Sequence, residues 1–151
     1  MHNDNAGGRD RSIGYFEALG MITAVAMASD YRKWSVAEVE AHLVPALQAG
    51  QCKVYFDENS LPMAFVTWAL VDDECHTALY LHGQNPPADR WTSGSNLWFT
   101  DIVAPFGNTL QIIRDLQRNH FPHLHAHSIK RNGDGSIKRI KVWRNALANK
   151  A

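Results

Sequence analysis

Trp91 to Leu110 reads WTSGSNLWFTDIVAPFGNTL, and the rest of the chain can be placed around it. Its middle, Leu97-Trp98-Phe99-Thr100-Asp101-Ile102-Val103, is an apolar and β-branched run that predicts a buried strand, interrupted by one carboxylate. A carboxylate inside such a run costs several kcal/mol unless it is paired or hydrogen-bonded. Asp101 is therefore answered by the fold or required by function. The following Ala104-Pro105-Phe106-Gly107-Asn108-Thr109 is a turn, with Asn108 or Thr109 placed to cap a helix that begins near Leu110. Free N–H groups at such a terminus favour anions or polarised carbonyls, so an acid just before it marks the first place to seek a site.

Downstream, Leu110 to Asn119 places Leu110, Ile113, Leu116 and Gln117 at helical spacing, and Phe121-Pro122 ends the helix. His123 to Ile129 and Ser136 to Trp143 are strand-like runs around Asn132-Gly133-Asp134-Gly135, a hairpin turn signal because both glycines accept positive φ. Upstream, Asp72 to Arg90 carries the breakers Gly83 and Asn85-Pro86-Pro87, which predicts a mobile connection with a short element at Thr77 to Leu81. Before it, Cys52 to Phe56 and Met63 to Leu70 form an antiparallel hairpin around Asp57–Pro62. Two helices come first. Tyr15 to Ala28 is apolar nearly all round, with Gly20 permitting close packing. The second has Ser35 and Glu38 as a capping box, with Val36, Val39, Leu43 and Leu47 on one face. Residues 1–12 read as a disordered lead, and 13–151 as a single domain. The order α-α-β-β-(x)-β-α-β-β, with x the short element of unassigned type at Thr77 to Leu81, predicts an α+β class, with helices around a mostly antiparallel sheet of five or so strands.

At 151 residues the chain can bury a true core, and 15 basic residues balance 15 acidic ones. No global field recruits nucleic acid or an anionic membrane, and the basic last third reads as a solvated face. The two cysteines, Cys52 and Cys75, lack metal-ligand spacing and suggest reduced thiols. The lack of a signal-like or membrane-spanning apolar run leads us to expect a cytoplasmic protein without stable membrane insertion.

Asp101 can equally be a structural acid or a functional one. Trp91-Thr92-Ser93-Gly94 can be a turn packed by its tryptophan or a loop presenting hydroxyls. His123, His125 and His127 alternate, so on a strand they would share a face that could hold zinc. With no cysteine, carboxylate or H-E-x-x-H pattern at matching spacing, a solvent-facing edge strand is the favoured reading, and no metal is expected. His42 and His76 are reserve bases. Trp68 and Trp98, inside apolar runs, are expected in the core.

Several segments in order resemble the RTX toxin-activating lysine acyltransferases. They are Leu19-Gly20, Arg32 and Trp34, Leu43-Val44-Pro45-Ala46-Leu47 with Gly50-Gln51, Leu61-Pro62-Met63-Ala64-Phe65-Val66-Thr67-Trp68-Ala69, Trp91-Thr92-Ser93-Gly94, and Trp98-Phe99-Thr100-Asp101-Ile102-Val103-Ala104-Pro105-Phe106-Gly107. W-T-S-G together with W-F-x-D-x-x-A-P-F-G is the specific combination. The resemblance implies a GNAT-like fold and transfer of a fatty acyl group to lysine ε-amines of an RTX-type protoxin, which activates a cytolytic toxin. The donor it implies is acyl carrier protein, with no tightly bound cofactor; a homodimer is compatible with it.

The resemblance also implies that Asp101 stands at the family's essential aspartate. The family's essential histidine, in an S-x-x-H-R pattern, corresponds to Ser29-Asp30-Tyr31-Arg32, where Tyr31 replaces it; an ungapped alignment puts Arg32 there instead. The site so implied comprises Asp101 and Tyr31 as catalytic residues. Ser29, Arg32, Trp91, Thr92, Ser93, Gly94, Ala104, Pro105, Phe106 and Gly107 would bind substrate. Tyr31 could act as a base if Arg32 or Lys33 stabilised its phenolate, or could protonate the leaving thiolate. A second reading is a catalytically inactive relative that binds acyl carrier protein or a toxin-like protein. A third is a metal-binding accessory protein built on the histidine strand.

Overall fold

The computed structural model describes residues 2–4, 10–132 and 136–149. The chain divides into two compact units, Met1–Trp68 with Asp101–Phe106 and Ala69–Thr100 with Gly107–Ala151.

The first unit holds β1 (His2–Asp4), β2 (Asp10–Ser12), α1 (Tyr15–Met27), α2 (Val36–His42), α3 (Val44–Gln48) and β3 (Cys52–Phe56), with a 3-10 turn at Asp30–Lys33. It also takes most of β4 (Pro62–Val71) and the end of β5 (Asn96–Val103). Strand order here is β2-β1-β3-β4, with β1 parallel to β3 and the other pairs antiparallel. Within the expected lead, residues 2–4 and 10–12 are strands, with β1 pairing β2 on one side and β3 on the other. Residues 1 and 5–9 lie outside the described residues.

Only one stripe of α1 is buried, Ala18, Ile22, Val25 and Ala26, at the i, i+4, i+7, i+8 spacing of a single face. Phe16 and Met27 are exposed, so this helix is amphipathic rather than surrounded. Among the described residues, Gly20 meets no neighbour within 4 Å of where a Cβ would stand, so the close packing expected there is not seen. The α1 stripe packs with Leu43, Leu47, Val54, Phe65 and Val103 into the unit's core. Burying a side chain such as Ile22 stabilises by about 1.5–3 kcal/mol.

Ser35 caps α2 as expected, its Oγ accepting from the Glu38 N–H at 3.1 Å and bonding Glu38 Oε1 at 3.2 Å. Pro45, which has no N–H to donate, divides the expected second helix into α2 and α3 at Leu43. Of the proposed apolar face only its far half is buried, Leu43 and Leu47, while Val36 faces solvent. All five residues of β3 are buried, so this strand is covered on both faces.

The second unit holds α4 (Asp73–His82), most of β5, α5 (Thr109–Asp115), β6 (Ala126–Arg131) and β7 (Ile137–Trp143), and a 3-10 turn at Ala146–Asn149. Its order is β5-β6-β7, parallel and then antiparallel. Where a mobile connection with a short element was expected, α4 is a ten-residue helix. Asp72 Oδ1 accepts from the Cys75 N–H at 2.9 Å, and the first turn is acidic, which together start the helix. Neither Asn108 nor Thr109 supplies a side-chain cap to α5. After seven residues α5 widens into a π-turn at Leu116–His120. The buried Asn145 Nδ2 bonds two carbonyls there, Gln117 at 3.1 Å and Phe121 at 3.0 Å. β6 and β7 form the expected hairpin, and Asn132 N–H bonds Ser136 O at 2.9 Å; residues 133–135 lie outside the described residues.

The α+β class is as expected, and the arrangement is consistent with a GNAT-like acyltransferase fold. Three of the five strand pairings described above are antiparallel.

Candidate active site

The site is built in the first unit by three elements. The end of β5 delivers Asp101, 6 % exposed, and β4 delivers Thr67, fully buried. Tyr31 comes from the 3-10 turn after α1. That turn is made by Ser29, whose hydroxyl donates to Ala26 O at 2.8 Å and accepts from the Tyr31 N–H at 3.1 Å. The Tyr31 ring stacks on Trp34, with centroids 3.9 Å apart and an interplanar angle of 15°. These two constraints aim the phenol at the strand.

Tyr31 Oη donates to Asp101 Oδ1 at 2.6 Å, and Thr67 Oγ1 donates to Asp101 Oδ2 at 2.6 Å. Both distances are those of charge-assisted O–H···O⁻ bonds. Each carboxylate oxygen is therefore held by a hydroxyl, which answers the cost of placing Asp101 in a buried strand. Cys52 on β3 feels the same charge. Burial, and then the Asp101 carboxylate, push its thiol up to about 12, so it remains an unreactive thiol.

Chemically, the arrangement is a phenol and a hydroxyl hydrogen-bonded to one buried carboxylate. A phenol that donates to a carboxylate keeps lone-pair capacity on its oxygen, so it can accept one proton while passing its own to the acid. Arg32 and Lys33 are exposed in the same turn. Ala104 and Pro105 are half-buried directly after the strand, and Phe106 is 70 % exposed.

Within the second unit the W-T-S-G segment ties β4 to α4. Trp91 is buried, as in the packed-turn reading, and its backbone carbonyl accepts from the Leu70 N–H at 2.9 Å. Ser93 Oγ accepts from the Asp72 N–H at 3.1 Å and donates to Arg90 O at 2.8 Å. Gly94 donates to Leu70 O at 3.1 Å, and a Cβ on it would stand 2.5 Å from Val71 O. Only glycine fits. Thr92 is exposed, and Gly107, at φ +91°, holds a conformation that L side chains rarely adopt.

The histidines do not line one strand face. β6 begins at Ala126, so His123 and His125 precede it, and His125 Nδ1 accepts from the Asn145 N–H at 2.8 Å. His127 is not solvent-facing but half-buried, stacked on Trp98 at 5.0 Å and edge-on to His76 at 5.0 Å. Trp98 Nε1 donates to His76 Nδ1 at 2.9 Å. Burial first, and then His76, lower the pKa of His127. Trp98 lies in the core as expected, whereas Trp68 is only half-buried.

Thr67 was not among the expected site residues. Its one sequence signal is a hydroxyl inside the apolar run Met63 to Leu70, a position where a buried polar group needs a partner.

The class of fold, helices flanking an open sheet, is that of GNAT-like acyltransferases. Residues 12–144 match the family model described as the RTX toxin acyltransferase family, and the chain belongs to that family. The RTX-I toxin-activating lysine-acyltransferase ApxIC of Actinobacillus pleuropneumoniae is 28% identical over 141 residues, 93% of this chain and 81% of that protein. The lysine-acyltransferase RtxC of Vibrio cholerae is 31% identical over 91 residues, 60% of each chain. The leukotoxin-activating lysine-acyltransferase LktC of a Pasteurella haemolytica-like species is 31% identical over 103 residues, 68% of this chain and 62% of its own.

Proposed function

We propose that this chain is an active lysine acyltransferase that moves a fatty acyl group from the phosphopantetheine thioester of acyl carrier protein to lysine ε-amines of an RTX-type protoxin, in the cytoplasm. The observation that carries the reading is the hydrogen bond from Tyr31 to Asp101, because Tyr31 stands at the position matching the family's histidine. A residue that had merely lost its function need not keep a short bond to the essential acid.

The lysine arrives as an ammonium and must lose a proton to attack. In this reading its proton passes to Tyr31 Oη as the phenol's own proton moves to Asp101, so Asp101 is the terminal base and Tyr31 the relay. The freed amine attacks the thioester carbonyl carbon, a C–N bond forms and the C–S bond breaks. As the C–S bond breaks, the leaving thiolate takes the stored proton back through Tyr31, and the nitrogen sheds its second proton to solvent as the amide forms, which restores the site. Thr67 holds the second oxygen of Asp101 and keeps the carboxylate oriented. Phe106 offers apolar surface to the acyl chain.

Intact-mass analysis of an RTX protoxin co-expressed with this protein tests the proposal. Addition of a fatty acyl mass dependent on the protein is the expected result. No mass shift on any protoxin tested, with acyl carrier protein still bound, overturns it in favour of a binding relative without turnover. Among the described residues no helix is long and apolar enough to cross a membrane.

A further inference from the structure

The charges of this chain cancel overall, yet Ala126 to Arg144 carries six basic residues and one acid. The β6–β7 register sorts them. Ala126 pairs with Trp143, Ser128 with Lys141 and Lys130 with Arg139, so these six side chains share one face of the hairpin. The opposite face carries His127, Ile129 and Ile140, the side that meets Trp98 and His76.

Three properties make the first face a built surface rather than a scatter of solvated charge. Lys130 and Arg139 sit directly across the ladder, a like-charge pairing that destabilises a hairpin. Among the described residues no carboxylate pairs with Lys130, Arg139 or Lys141. The platform is also fixed: Trp143 Nε1 donates to Ser128 Oγ at 2.8 Å, and Lys141 Nζ lies 3.9 Å from the centre of the Trp143 ring.

We propose that this face, Lys130, Arg139 and Lys141 over Trp143, docks an acidic protein surface, and that its occupant is the acidic acyl carrier protein. The identity of the occupant rests on the donor proposed above. Charge complementarity favours a protein over nucleic acid. Three cations at strand spacing, about 5 Å across the ladder and about 7 Å along it, match a cluster of carboxylates. Tight duplex binding relies on many more phosphate contacts, and the chain's zero net charge supplies no long-range field for it. Lys141 also covers one face of the Trp143 ring.

The test compares two double variants with equal change of net charge. Lys130→Glu/Arg139→Glu reverses the hairpin face, and Arg114→Glu/Arg118→Glu reverses exposed charges on and after α5. Binding of acyl carrier protein is measured by titration at low and physiological salt. The hairpin variant is expected to weaken binding at least tenfold and to raise the KM for acyl carrier protein with kcat at saturation unchanged; the second variant should do neither. Equal weakening by both variants overturns the proposal, because net charge alone would then account for it. Unchanged binding by the hairpin variant also overturns it and leaves these cations as guards of the open β7 edge. Preferential, hairpin-dependent binding of a DNA oligomer or of phosphatidylserine vesicles overturns the choice of occupant. Circular dichroism checks the fold, and the neutral pair Lys130→Gln/Arg139→Gln, expected to weaken binding by less, replaces the reversal should that variant unfold. Binding is read without turnover, so a chain that binds here but never acylates would fail the proposed activity and keep this surface.

Discussion

Tyr31 and Asp101 stand 70 residues apart in sequence and are joined by a 2.6 Å hydrogen bond from the phenol to the carboxylate. The relation decides which proton chemistry the site can perform. With the phenol donating, Asp101 is the acceptor, and in the proposed mechanism Tyr31 acts through it rather than as an independent base.

Tyr31→Phe deletes the relay and keeps the ring stacked on Trp34. Acyl transfer should fall at least ~10²-fold, the usual cost of removing a general acid or base, while stability drops by about 0.5–1.5 kcal/mol for the lost hydrogen bond. Protoxin mass shift and a urea melt measure the two. Activity within a few-fold of wild type would remove Tyr31 from the mechanism.

Asp101→Asn should abolish transfer and leave the secondary structure intact by circular dichroism. The amide turns its NH2 towards one of two hydroxyls that both donate at present, so a stability loss of about 1–3 kcal/mol is also expected. A folded variant that still acylates would show the carboxylate to be structural only.

Thr67→Val keeps the shape of a fully buried side chain but leaves Asp101 Oδ2 without this donor. We expect a loss of about 1–3 kcal/mol and slower transfer at unchanged KM for donor. Thr67→Ser, which restores the hydroxyl, should recover most of the rate. Failure of serine to rescue, with valine impaired, would assign the effect to packing.

Gly94→Ala places a methyl 2.5 to 2.6 Å from the backbone of Val71 and Asp72, atoms that no rotamer change can move aside. Thermal melting should show destabilisation of at least ~1–3 kcal/mol. Thr92→Ala, at an exposed neighbour, should be nearly silent.

Acid should weaken the fold through His127. Its folded pKa lies below the ordinary 6.5, first from burial and then from His76, so the unfolded chain takes up the proton more readily. The contribution is absent above the unfolded value, and stability is lost as pH falls through 6.5. His76 and Tyr80 on α4 and Trp98 on β5 are the rings packed around it. Denaturant melts between neutral and mildly acid pH should therefore show a slope that His127→Gln reduces; an identical slope in the variant would place the titration elsewhere.

Sequence alone settled what depends on neighbours along the chain. Ser35 and Glu38 announced a capped helix, alternation and turn residues announced both hairpins, and an acid inside an apolar strand announced Asp101, because these signals act over four residues or fewer. Family resemblance then aligned Tyr31 with a functional position without saying what it touches. The tertiary structure decided the rest. It brought Tyr31 and Thr67 onto the two oxygens of Asp101, a convergence of three elements that no local periodicity encodes. It seated the helix Asp73–His82 through Ser93 and Gly94, while that helix's cap, Asp72 on the Cys75 N–H, is a local signal within reach of the sequence that the breaker residues Gly83 and Asn85-Pro86-Pro87 obscured. It put His127 against Trp98, because which face of a strand is buried depends on what packs over it, and that partner comes from elsewhere in the chain.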